Sequence, residues 1–70
     1  MQQHVTNIVS KLRKKKKVTQ EELAQKIGVS RQTVVAIEKG SYVPSLLLGL
    51  KIANFFHKLV EEIFTLSYEK

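Results

Sequence analysis

Seventy residues make a single domain, 1–70, of a size that is only marginally stable on its own. The chain has no cysteine, which excludes disulfides and thiolate metal sites, and its two histidines, His4 and His57, lie far apart with no carboxylate at ligand spacing, so no metal is expected. Twelve lysines and arginines against six acids give a net charge of +6, which points to a polyanionic partner, nucleic acid or anionic lipid.

Val5, Ile8, Val9 and Leu12 recur at helical spacing and predict a first helix over about 5–16. It runs into Arg13-Lys14-Lys15-Lys16-Lys17, more positive charge than a helix C-terminus needs to complement its dipole. Thr19-Gln20-Glu21-Glu22 has the pattern of a capping box and opens a second helix over 20–27 that buries Leu23, Ala24 and Ile27. Gly28 suits the left-handed turn that ends a helix, and Ser30, two residues on, is a good N-cap for a third helix over 30–39 burying Val34 and Ile37. Two short helices joined by about three residues, with glycine in the turn, describe a helix-turn-helix over about 20–39. Gly40 closes the third helix, Pro44 disfavours helix at Val43, and Ser45 caps a fourth helix over 46–57, whose core side is read as Leu46, Leu50, Ala53 and Phe56. A short fifth helix follows over about 59–64. Phe64, Leu66 and Tyr68 then alternate with polar residues at strand spacing; the tail is either frayed or a strand paired with the segment around Val5 or with the same tail in a second subunit.

The third helix carries the recognition chemistry. With Val34 and Ile37 inward, Arg31, Gln32, Val35 and Ala36 share the outer stripe, with Lys39 at its far end. Arginine pairs bidentately with guanine and glutamine with adenine, each discriminating by about 1–3 kcal/mol. Val35 suits a thymine methyl, and Ala36 allows close approach. Catalytic constellations are missing: there is no aspartate for a Ser-His-Asp triad, and Glu21-Glu22 and Glu61-Glu62 are neighbours that on a helix do not face each other. Neither an enzyme nor a cofactor is expected. The polar N-terminus lacks a signal-peptide core and no apolar run approaches the ~18 residues of a membrane span, so a cytoplasmic protein without membrane contact or evident small-molecule ligand is expected.

The segment TQEELAQKIGVSRQTVVAIEKG, with LRKKKK before it and PSLLLGLKIA after it, resembles the XRE/Cro-repressor family of helix-turn-helix DNA-binding proteins over about residues 8–64. The resemblance implies an all-α, five-helix, lambda-repressor-like domain with double-stranded DNA as partner and transcriptional regulation as activity. It implies base contacts from Ser30, Arg31 and Gln32, beside Val35 and Ala36 of the outer stripe, and phosphate contacts from Gln20, Thr33, Lys39, Ser41 and Tyr42. It also implies a structural ion pair between Arg13 and Glu38.

Gly49 departs from the alanine common in the family and marks either close approach by another chain or drift. Leu46, Leu47, Leu48, Leu50 and Ile52 make the fourth helix apolar on more than one side, and a helix apolar all round is buried all round. A homodimer follows as the expectation, with Leu47, Phe55, Leu59, Val60, Leu66 and Tyr68 as interface residues and the terminal strand as a further element of it. The reading is a homodimeric regulator, by family habit a repressor, on an inverted-repeat operator. The alternatives are an antitoxin-like protein-interaction module and a non-specific nucleic-acid binder.

Overall fold

The computed structural model describes residues 2–69, with side-chain environments for 3–67. In chain order the elements are β1 (Gln2–Asn7), α1 (Val9–Lys16), α2 (Gln20–Ile27), α3 (Arg31–Lys39), α4 (Leu46–Phe56), α5 (Val60–Ile63) and β2 (Phe64–Glu69). Five helices thus form the body, and a two-stranded antiparallel sheet closes the two ends of the chain together, with Val5 opposite Leu66 and Asn7 opposite Phe64.

The first helix does not begin at residue 5. Residues 2–7 are extended, and the tail strand pairs with them in its own chain. The reason lies in Asn7. Its Oδ1 accepts the Val9 N–H at 3.0 Å and starts the helix there, while its Nδ2 donates to the Ile37 carbonyl at 2.9 Å, at the far end of α3. The apolar spacing from Val5 to Leu12 therefore spans two elements: Val5 belongs to the sheet, Val9 and Leu12 to the helix.

Each later helix is delimited locally. Thr19 and Glu22 exchange hydrogen bonds in a complete capping box, at 3.0 and 2.8 Å. Ser30 and Ser45 accept the N–H groups of Thr33 and Leu48, both at 3.2 Å. Gly28 and Gly40 end α2 and α3 at φ of 77° and 81°, a conformation that is costly for any side chain with a Cβ. At the end of α4 the same conformation falls to His57, at φ 55°.

The core consists of Val9, Leu23, Ala24, Ile27, Val34, Ile37, Leu48, Ile52, Ala53 and Ile63, with Leu12, Val18, Val29, Phe55, Phe56, Val60 and Phe64 packed around it. Here α4 corrects the sequence reading. Leu46 and Leu50 are 73% and 51% exposed, whereas Leu48, Gly49, Ile52 and Ala53 are buried. In a helix with leucine at four of its first five positions, spacing alone does not select the inner face. Packing of α4 against α2 and α5 selects Leu48 and Ile52, and turns Leu46 and Leu50 outward.

Candidate nucleic-acid interface

Residues 28–30 join α2 to α3 through one compact turn. The N–H groups of Gly28 and Val29 both return to the Ala24 carbonyl, the latter at 2.9 Å, and Ser30 then starts α3. The small Ala24 side chain is buried where the two helices meet. The turn brings the N-termini of α2 and α3 to one face, where Arg13, Thr19, Gln20, Glu21 and Arg31 line a shallow open cleft.

On α3, Val34 and Ile37 are buried; Arg31, Gln32 and Lys39 are exposed; Thr33, Val35 and Ala36 are half-buried. The polar groups at the helix tip divide into two sets. Ser30 and Thr33 are engaged locally, with their hydroxyls 3.1 Å apart and the Thr33 N–H on the Ser30 oxygen. Arg31 and Gln32 project into solvent with no side-chain hydrogen bond among the described residues. Ser41 is held against the end of α3, its hydroxyl and its N–H both donating to the Ala36 carbonyl, at 3.2 and 3.0 Å. Tyr42, beside it, is exposed.

Arg13 and Glu38 meet in a bidentate pair, Nε to Oε2 at 2.7 Å and Nη2 to Oε1 at 3.3 Å, with side chains only 13% and 7% exposed. A third arginine donor reaches the Val18 carbonyl at 3.0 Å. Gln20 joins the same group, its Nε2 donating to Glu38 Oε1 at 3.1 Å. Its side chain is therefore fixed at the start of α2, and its carbonyl oxygen and backbone N–H remain for an incoming group. One node of three residues thus ties α1, α2 and the last turn of α3. Glu22, exposed in its capping box, has its carboxyl held below the ordinary 4.5 by the Thr19 N–H first and the Thr19 hydroxyl second.

Six residues are expected at a subunit interface. Leu47, Leu59 and Leu66 are exposed, but Phe55 and Val60 are half-buried against the core. Phe55 also packs edge-on to Phe56 and lies 5.0 Å beneath the Lys16 ammonium. The side chain of Tyr68 lies outside the described residues. Asn7, which fixes the end of β1 to the end of α3, escaped the sequence reading. Its signal was an asparagine just before an apolar run, a residue whose side chain readily accepts the backbone N–H two residues on.

The helix-turn-helix family matches residues 9–63, from the first residue of α1 to the last of α5. The chain belongs to the XRE-type helix-turn-helix family. That places it among helix-turn-helix proteins rather than enzymes. It is 52% identical over 63 residues to YgzD of Bacillus subtilis, named an uncharacterized HTH-type transcriptional regulator, covering 90% of this chain and 96% of that one. It is 64% identical over 47 residues to MJ0272 of Methanocaldococcus jannaschii, which carries the same description, covering 67% and 71% of the two chains. The crystal structure of the transcriptional regulator VanUg superposes with a TM-score of 0.77 at 24% identity, over 99% of this chain and 92% of that one, a likeness of fold.

Proposed function

We propose that this helix-turn-helix protein is a DNA-binding transcriptional regulator that acts as a homodimer on an inverted-repeat operator. Each subunit lays α3 in the major groove, and two-fold symmetry sets the half-sites about 34–36 Å apart. Arg31, Gln32, Val35 and Ala36 read base edges, helped by Ser30, while Gln20, Thr33, Lys39, Ser41 and Tyr42 hold phosphates and set the register. Regulation follows from occupancy, which blocks polymerase and makes repression the simplest outcome, in the cytoplasm where the DNA is. No helix among the described residues is long and apolar enough to cross a membrane.

The observation that carries this reading is the outer face of α3. Two exposed side chains suited to bidentate base recognition stand at its tip, unengaged among the described residues, beside the N-terminus of α2. A helix N-terminus presents unpaired N–H groups to an anion such as phosphate. Selection of bound duplexes from a randomised pool near physiological salt tests it. An inverted repeat should be enriched, and Arg31→Ala should relax one base per half-site by about 1–3 kcal/mol. A folded protein that enriches no sequence would refute specific recognition, and affinity that merely collapses with salt would leave non-specific binding. The exposed leucines of α4 favour one other reading, a protein-capture module, in which Arg31→Ala leaves function intact.

A further inference from the structure

The charges of the proposed reading face cancel. Arg31 and Lys39 of α3 stand against Glu21 and Glu22 in the first turn of α2, while Arg13 and Glu38 neutralise each other. The net charge of +6 therefore lies elsewhere, and its densest part is Lys14-Lys15-Lys16-Lys17 at the end of α1. These lysines are all exposed, and none has a carboxylate partner among the described residues. The two glutamates already complement the dipole of α2. A phosphate approaching Gln20 thus meets negative charge unless a free cation stands close by.

Lys17 is placed to be that cation. It ends α1 in the left-handed conformation, at φ 62°, which α2 and α3 give to Gly28 and Gly40. Glycine takes this conformation freely, whereas a side chain with a Cβ makes it costly. His57 also adopts it, but only Lys17 does so beside the helix-turn-helix, two residues before Thr19, the N-cap of α2. The turn is firmly held. The Lys17 N–H donates to the Lys14 carbonyl and the Val18 N–H to the Arg13 carbonyl, both at 3.1 Å, and Arg13 Nη1 donates to the Val18 carbonyl at 3.0 Å. Lys16 is engaged elsewhere, its ammonium 5.0 Å above the Phe55 ring. From Lys17 to Gln20 the chain spans at most about 11 Å. One strand of a duplex carries a phosphate every ~3.4 Å of axis, so a phosphate held at Gln20 has a neighbour within reach of Lys17.

We infer that Lys17 is a further phosphate-holding residue of the DNA interface, taking the backbone phosphate next to the one at Gln20 and offsetting Glu21 and Glu22. The inference rests on the DNA-binding regulator proposed above. Fluorescence anisotropy on the selected operator across a salt series tests it, with wild type compared to Lys17→Gly and Lys26→Gln, and urea unfolding checking the fold. Lys26 lies in the last turn of α2, so its substitution removes one charge away from the proposed contact. Lys17→Gly should unfold at the same urea concentration as wild type or higher, because glycine relieves the left-handed turn. It should nonetheless bind every DNA sequence more weakly, and the slope of log affinity against log salt should fall by about 0.9 for each bound subunit. Lys26→Gln should keep the wild-type slope. Lys17→Asn, which also tolerates the left-handed turn, decides the matter if Lys17→Gly fails to fold. A slope unchanged in folded Lys17→Gly, or lowered equally by Lys26→Gln, overturns the contact and leaves the regulator standing. A wild type that selects no operator overturns both.

Discussion

Glu38→Ala is the most informative single perturbation of the fold. Glu38 accepts from two nitrogens of Arg13 and from Gln20, and both members of the ion pair are largely shielded from water. Its removal leaves the arginine with only the Val18 carbonyl and the Gln20 amide with no acceptor. Breaking a buried pair by removing one partner costs about 3–5 kcal/mol, because a desolvated charge is left behind. The residual exposure of Arg13 argues for the lower end, about 3 kcal/mol. At roughly 0.05–0.15 kcal/mol per residue, a chain of this length holds about 4–10 kcal/mol in all. The substitution therefore removes a third or more of the stability. For so small a domain each kcal/mol moves Tm by about 4–8 °C, so the midpoint should fall by about 12–24 °C. Thermal and urea unfolding followed by far-UV circular dichroism measure this directly. The double variant Arg13→Met/Glu38→Leu should recover much of the loss, since it leaves no charge unpaired. A loss below about 1 kcal/mol for Glu38→Ala would show that the pair behaves as an exposed one, and the reasoning would fail.

Three further outcomes follow from the same geometry. Asn7→Ala should cost about 2 kcal/mol in urea unfolding, from the bonds to the Val9 N–H and the Ile37 carbonyl together; Asn7→Asp keeps the acceptor but loses the donor, and should recover no more than about half. The Glu22 carboxyl, held below its ordinary 4.5, adds stability at pH above that value and loses it as pH falls through the lower, folded pKa. The stability gap between wild type and Glu22→Gln should therefore narrow between about pH 6 and about pH 3, and an unchanging gap would count against the capping box as its source. Lys39→Gln should weaken binding alike across DNA sequences and lower the slope of log affinity against log salt by about 0.9, whereas an unaltered slope would take Lys39 off the phosphate backbone.

Much of the helical body was legible because its signals are local. Thr19, Ser30, Ser45, Gly28 and Gly40 act on backbone groups within four residues, and they delimit helices whatever packs nearby. The start of α1 was misread because Asn7 serves two elements at once, and half of its role is a bond to residue 37 that no local pattern encodes. The inner face of α4 was misread for the opposite reason. Leucines at 46, 47, 48 and 50 give every face a comparable claim to the core, and only the neighbours choose among them. Of the site, the apolar stripe of α3 fixed which side faces outward, while the engagement of Ser30 with Thr33, and of Gln20 with Glu38, depends on side-chain geometry beyond what spacing carries.

The two sets of polar residues on the helix-turn-helix have a common logic. A reading helix needs its tip held still before it meets a partner, since order imposed at binding is subtracted from affinity. Ser30 and Thr33 hold the first turn of α3 through one another. Glu38 holds its last turn through Arg13, and Asn7 fixes the nearby Ile37 carbonyl. Both ends of a nine-residue helix are therefore tied by side-chain hydrogen bonds. Gln20 extends the same restraint to α2, because its amide donates to this largely buried carboxylate. On the proposed function, Arg31, Gln32, Val35 and Ala36 are then base-reading side chains carried on a backbone whose position is set elsewhere. On this argument, weakening the node around Glu38 in a mild variant such as Glu38→Gln lowers discrimination between operator and random DNA more than Lys39→Gln does, although residue 38 need touch no base.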